Sequence, residues 1–172
     1  MIRRALAPLL AVVCLLALAG CNGDSGNDKT SAKTVDGIPA YATTNDDQGA
    51  QNFARYWIDT LNKATVSGDT TKVRKISKTS CTTCTDFANR LDGIYKAGGN
   101  VQTKGFKVKK LLTDSSVPKP GAGVSVVMTA TPQTLVEKKG AAPRQLKGGD
   151  LRVRMIMVRV KDHWAMDRID IG

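Results

Sequence analysis

The chain has one histidine, His163, and that scarcity removes whole classes of chemistry. A zinc centre needs more His or Cys than remain in the domain, which holds His163, Cys81 and Cys84. A general base is usually His, Asp or Glu in a water-poor pocket. His163 follows Asp162 in a predicted turn, where a solvated side chain is expected. No G-x-S-x-G elbow and no phosphate-cradling glycine loop occurs. Aromatic residues make up 5% of the chain, too few for the stacking platforms of single-stranded nucleic-acid binders. Acidic residues are also scarce, 15 Asp and Glu against 26 Lys and Arg. The only long apolar run, Ala5–Ala19, falls short of the ~20 residues that span a bilayer.

The run is informative in another way. Met1-Ile2-Arg3-Arg4 is a positive leader, the apolar stretch follows, and Leu18-Ala19-Gly20-Cys21 closes it. These four residues resemble the lipobox of bacterial lipoproteins. The resemblance implies cleavage before Cys21 and a diacylglyceryl group on its sulfur. It implies a protein held at the outer face of the cytoplasmic membrane, since two acyl chains anchor stably where one does not. Cys14 would leave with the leader, so Cys81 and Cys84 remain as an even pair in an oxidising compartment.

After residues 1–20, composition predicts a disordered tether over 21–50, rich in Gly, Ser, Thr, Asn and Asp. A coil of that length reaches roughly 30 Å. Val35, Ile38 and Tyr41 mark where it meets a domain over 51–172. That domain holds 22 Lys and Arg against 10 Asp and Glu. Such a charge draws a tethered domain to anionic lipid, to an acidic wall polymer or to an acidic face of another envelope protein. Lys138, Lys139, Arg144 and Lys147 gather at a predicted hairpin tip and form the candidate patch for an anionic partner.

Phe53, Trp57 and Leu61 recur at helical spacing and predict a helix from about Asp47 to Ala64, with Asp46 or Asp47 as its cap. Gly68 suits its end, and Asp69 the start of a short helix over 70–77. Phe87, Leu91, Ile94 and Tyr95 give a third stripe, ending at Gly98-Gly99. Cys81 and Cys84 precede it. They read either as a small disulfide that fixes a corner between helices or as a thiol–disulfide redox site at a helix N-terminus.

From Gly105 the period changes to two. Phe106, Val108 and Leu112 form one face, alternating with Lys107, Lys109 and Leu111. A strand carrying Val124, Val126, Met128 and Ala130 follows, then one carrying Leu151, Val153, Met155 and Met157, then a last strand from Trp164. Connections this short imply an antiparallel meander. The fold class is therefore α+β, with N-terminal helices packed on a curved, cone-like antiparallel sheet. Trp57, Met128, Met155, Met157 and Trp164 are the candidate lining of an apolar ligand pocket, because Met adapts to varied ligands.

Tyr56-Trp57-Ile58-Asp59-x-Leu61, Ser67-Gly68-Asp69 and Ser80-Cys81-x-x-Cys84 together resemble a family of actinobacterial lipoproteins with an uncharacterised domain, over about Gln51 to Gly172. The helices-then-sheet order, closed by His163-Trp164-x-Met166, also resembles the nuclear-transport-factor-2-like or cystatin-like cone. Neither resemblance supplies a catalytic residue. The expectation is a non-enzymatic, membrane-anchored envelope lipoprotein that binds a partner, an acidic polymer or an apolar ligand, with no cofactor and no nucleic acid. The alternatives are an enzyme with Asp59 or His163 facing a pocket, and a redox protein using Cys81 and Cys84.

Overall fold

The computed structural model describes residues 34–172. The leader, Cys21 and the tether up to Lys33 lie outside the described residues. The folded body begins well before Gln51, which corrects the boundary drawn from composition. Thr34–Val35 (β1) and Ile38–Pro39 (β2) pair as a minimal hairpin, and Ala40–Ala42 form a 3-10 turn. Ile38 is 1% exposed and Ala42 0%. The polar composition hid two apolar anchors and a set of backbone groups used by the domain. The Tyr56 hydroxyl donates to Gly37 O at 2.9 Å, Lys72 Nζ to the same oxygen at 2.8 Å, and Arg159 to Thr43 O at 2.7 Å.

Helix α1 (Asp47–Ser67) starts where expected. The Asp46 carboxylate accepts the Gly49 N–H at 2.6 Å and the Thr44 hydroxyl at 2.9 Å, satisfying one of the free donors of the first turn. Gly68 ends the helix at φ 77°, a left-handed conformation that glycine adopts without a Cβ penalty; a Cβ there would also strike the Tyr95 ring. Phe53, Trp57, Leu61 and Ala64 form the buried stripe. Helix α2 (Thr71–Lys75) is short, and Asp69 caps it by accepting the Thr71 N–H. Helix α3 (Thr82–Lys96) begins between the two cysteines, with Cys81 at its N-cap and Cys84 in its first turn, where the sequence pattern places both before it.

The strands form a mixed α+β fold with three sheets. Beside the hairpin there is a four-stranded antiparallel sheet of Phe106–Asp114 (β4), Ala122–Ala130 (β5), Gly149–Val160 (β8) and His163–Ile171 (β9), in the order β4-β5-β8-β9. A three-stranded sheet holds Asn100–Thr103 (β3), Gln133–Val136 (β6) and Arg144–Leu146 (β7), in the order β3-β6-β7. The chain crosses between the two sheets three times, at Lys147-Gly148 between β7 and β8 and at two facing breaks. One is Lys104-Gly105, between β3 and β4. The other is Thr131-Pro132, between β5 and β6, where proline has no N–H to donate to a ladder. The Thr131 N–H and hydroxyl both donate to Gly105 O, at 3.1 and 3.0 Å. The Asn62 side chain bonds both the N–H and the carbonyl of Phe106, at 2.8 and 3.0 Å, tying this corner to α1.

Strand β4 departs from simple alternation. Its register against β5 shifts between Val108 and Lys110, so Lys109 is an extra residue in the ladder. Beyond the bulge the faces exchange: Leu111 packs against the core and Leu112 is 45% exposed, the reverse of the expected alternation. Strands β5 and β8 follow the expected pattern. Val124, Val126 and Met128 on one and Val153, Met155 and Met157 on the other join Phe53, Trp57 and Leu61 in a single core.

Candidate ligand site

The five residues expected to line a pocket are side chains of this core. Trp57, Trp164, Met155 and Met157 are almost wholly buried, and Met128 nearly so. Both indole donors are engaged, Trp57 Nε1 with Ser77 Oγ at 2.8 Å and Trp164 Nε1 with Thr44 O at 2.9 Å. The Arg159 guanidinium stacks 4.9 Å from the Trp164 ring. Trp57, Met128 and Met155 border a crevice of only about 40 Å³, and Met157 and Trp164 are not among its lining residues. The methionines chiefly fill the core, and Met128 and Met155 leave only this small crevice beside them.

The larger apolar cleft, about 230 Å³, lies further along α1. Its floor is Leu61 and Thr65, one turn apart on α1. One wall is α3, through Phe87, Arg90, Leu91 and Ile94. The other is the three-stranded sheet with the start of β4, through Val101, Leu135, Gln133, Leu146 and Phe106. The cleft exists because α3 is pinned at its ends. Near its start, Ser80 bonds Asp167 at 2.9 Å and Thr83 bonds Ile169 O at 3.0 Å. Near its end, the Tyr95 hydroxyl lies 2.8 Å from the carbonyls of both Thr65 and Val66. The middle of the helix then spans a gap that no side chain fills. Phe87, Leu91 and Ile94 were legible as a stripe. The overlooked signal is Arg90, a charge set three residues after Phe87 and four before Ile94, on the apolar side of its helix.

Arg90 is exposed and forms no ion pair among the described residues. It shares that lack of an ion pair with Arg55, Arg152 and Arg159, whereas Arg74 pairs with Asp92 at 2.6 Å, Arg144 with Glu137 at 3.1 Å and Arg168 with Asp170 at 3.2 Å. The expected basic patch divides into two parts. Lys138 and Lys139 are exposed beside the end of α3, where the Lys139 N–H donates to Ala97 O at 2.9 Å. Arg144 and Lys147 flank Leu146 on the edge strand that borders the cleft.

Asp59 is exposed on α1. His163 is not the solvated turn residue expected. It opens β9, its side chain is 12% exposed, and its Nδ1 lies 3.4 Å from Asp36 Oδ2 of the β1–β2 turn. Neither residue lines the cleft. Cys81 and Cys84 form a disulfide, both sulfur-bearing residues buried, at the first turn of α3. Several carboxyls are held below their ordinary range: Asp46 by the Gly49 N–H and Thr44, Asp92 by the Thr70 hydroxyl and Arg74, Asp150 by Lys109 and Thr129. These are caps and surface pairs, and none borders the cleft.

Solved structures with a similar arrangement include the intermembrane-space region of the chloroplast protein ARC6. It is 14% identical, the match covers 73% of this chain and 95% of that one, and the TM-score is 0.55. An uncharacterised protein with a cystatin-like fold from Caulobacter vibrioides is 12% identical over 69% of this chain and 87% of its own, with a TM-score of 0.44. An NTF2-like protein with a cystatin-like fold from Novosphingobium aromaticivorans is 11% identical over 69% and 77%, with a TM-score of 0.42. Identities this low speak to fold alone. No curated protein matches the sequence. Residues 35–170 match a family of unknown function (DUF6318), and the chain belongs to that family.

Proposed function

We propose that this is a non-enzymatic cell-envelope lipoprotein, anchored through Cys21 to the outer face of the cytoplasmic membrane, whose domain binds an apolar ligand. The observation that carries the reading is the cleft of about 230 Å³ between α1, α3 and the three-stranded sheet, walled by Leu61, Phe87, Leu91, Ile94, Val101 and Leu135. Ligand sites are typically concave and mostly apolar, with a few polar groups that set orientation. Arg90 and Gln133 are those groups here. We read the two larger sheets, continuous through Gly105 and Pro132, as one curved surface with the helices inside it, a cone. The lipobox Leu18-Ala19-Gly20-Cys21 supports the anchor. An excess of Lys and Arg, 22 against 13 Asp and Glu in residues 34–172, supports residence near anionic headgroups, where apolar ligands are at hand.

Two measurements test this reading. Mass spectrometry of the membrane-extracted protein shows a chain that begins at Cys21 and carries a diacylglyceryl adduct; an unmodified Cys21 refutes the anchor. Native mass spectrometry of the exported protein shows an added small-molecule mass, and an environment-sensitive apolar fluorophore binds until Ile94→Trp fills the cleft. A bare mass together with no fluorophore binding refutes the ligand site.

A further inference from the structure

We infer that the occupant of the cleft is a single-chain amphiphile with an anionic head, a fatty-acid carboxylate in its simplest form, and that Arg90 anchors the head at the mouth. This inference rests on the binding module proposed above and adds the ligand class and the residue that reads it.

Volume limits the tail. About 230 Å³ exceeds the ~150 Å³ of an engineered cavity that takes benzene, and falls below the ~300–1,000 Å³ of sites for drug-sized ligands. One acyl chain fits; a diacyl lipid does not enter whole. The walls offer the chain Leu, Ile, Val and Phe side chains and no buried charge.

Charge fixes the head. Arg90 borders the cleft without an acidic partner. Its guanidinium has a planar fork that suits two carboxylate oxygens. On the opposite wall Gln133 adds an amide donor. On the edge strand, Arg144 shares the face of Leu146 by the two-residue period, and Lys147 follows it. Three acids stand close in sequence, of which Asp92 is paired with Arg74. Glu137 is paired with Arg144, and Asp86 is exposed one turn before Arg90 without being bonded to it. Arg90 is the one charged residue lining the cleft and the rest of the lining is mostly apolar, which selects an anion with a tail over a neutral or cationic one.

The test uses the chain from Asn22 onward, which carries neither leader nor lipid and keeps detergent out of the assay. Dodecanoate, dodecanol and dodecyltrimethylammonium are titrated below micelle formation by calorimetry or fluorophore displacement. Dodecanoate is expected to bind at least ~10-fold more tightly than dodecanol, the size of a charge-assisted hydrogen bond at a half-open site. The ammonium compound is expected to bind weakest. Arg90→Gln removes the preference for dodecanoate over dodecanol, Arg90→Lys keeps part of it, and high salt shrinks it. Shorter carboxylates lose about fourfold for each methylene withdrawn from the cleft. Equal binding of dodecanoate and dodecanol, or a preference that survives Arg90→Gln, overturns the anionic head and leaves the apolar site standing. If none of the three binds, or if both Ile94→Trp and Thr65→Phe leave binding intact while thermal midpoints stay unchanged, the cleft is not the site and both readings fall.

Discussion

Replacing Ile38 by alanine should destabilise the domain by about 3 kcal/mol. The side chain is 1% exposed and belongs to the same core as Phe53 and Trp57. Truncating a buried Ile to Ala costs ~2–5 kcal/mol, more where the surroundings do not collapse into the space. Collapse is restricted here. The carbonyl of the preceding Gly37 is held by Tyr56 and Lys72, and Trp164 and Arg159 hold the carbonyls of Thr44 and Thr43. Urea denaturation of wild type and variant reads the cost as a shift in midpoint at constant slope. For a domain of this size the thermal midpoint falls by roughly 10 °C. Tyr41→Ala serves as the control, since that side chain is 58% exposed and its loss should fall within about 0.5 kcal/mol. If Ile38→Ala also falls within about 0.5 kcal/mol, the segment before α1 is a loosely held extension and its assignment to the core is wrong.

Asp114 makes stability depend on pH in a defined window. The Ser116 hydroxyl, the Arg154 guanidinium and the Ser116 N–H hold its carboxyl well below the ordinary 3.8, at about 2. A carboxyl depressed on folding stabilises fully above its unfolded value and loses that contribution as pH falls through the folded one. The gap in urea midpoint between wild type and Asp114→Asn should therefore be largest at about pH 5 and close towards about pH 2. A gap that does not narrow contradicts the assignment. Replacing Cys81 and Cys84 together by serine should cost about 2 kcal/mol in the chain-entropy model, because the loop is short. No loss in a denaturation experiment would mean that the first turn of α3 is ordered without the bond.

Sequence and structure agree where a local pattern settles the matter. Helix α1 shows itself through Phe53, Trp57 and Leu61, through Asp46 before it and through Gly68 after it, each tied to a bond that the helix makes. Agreement stops where distant partners decide. In Lys109-Lys110-Leu111-Leu112, either leucine can face inward by pattern; the ladder with β5 selects Leu111. Strand β3 offers one apolar residue, Val101, between Asn100 and Gln102, and depends on β6 for its definition. The segment before α1 has the composition of a coil, and two side chains, Ile38 and Ala42, suffice to bury it. Of the expected Met and Trp pocket, Trp57, Met128 and Met155 border only a small crevice, for a related reason. Apolar residues on facing strands and helices pack together unless something holds the surfaces apart. That separation occurs at α3 and is set by the anchors at its two ends, which no stripe in the sequence marks.

The corner at Gly105 and Thr131 gives the cleft its gape. Both β-ribbons turn there at the same level, so the two sheets behave as the jaws of a calliper, and Asn62 is its pivot screw. It grips Phe106 from the helix turn that carries Leu61. Opening or closing the jaws changes how bulky a guest is admitted without altering a single wall residue. If the cleft takes the ligand proposed above, size selection in this chain rests on Asn62, Gly105 and Thr131 as well as on the walls.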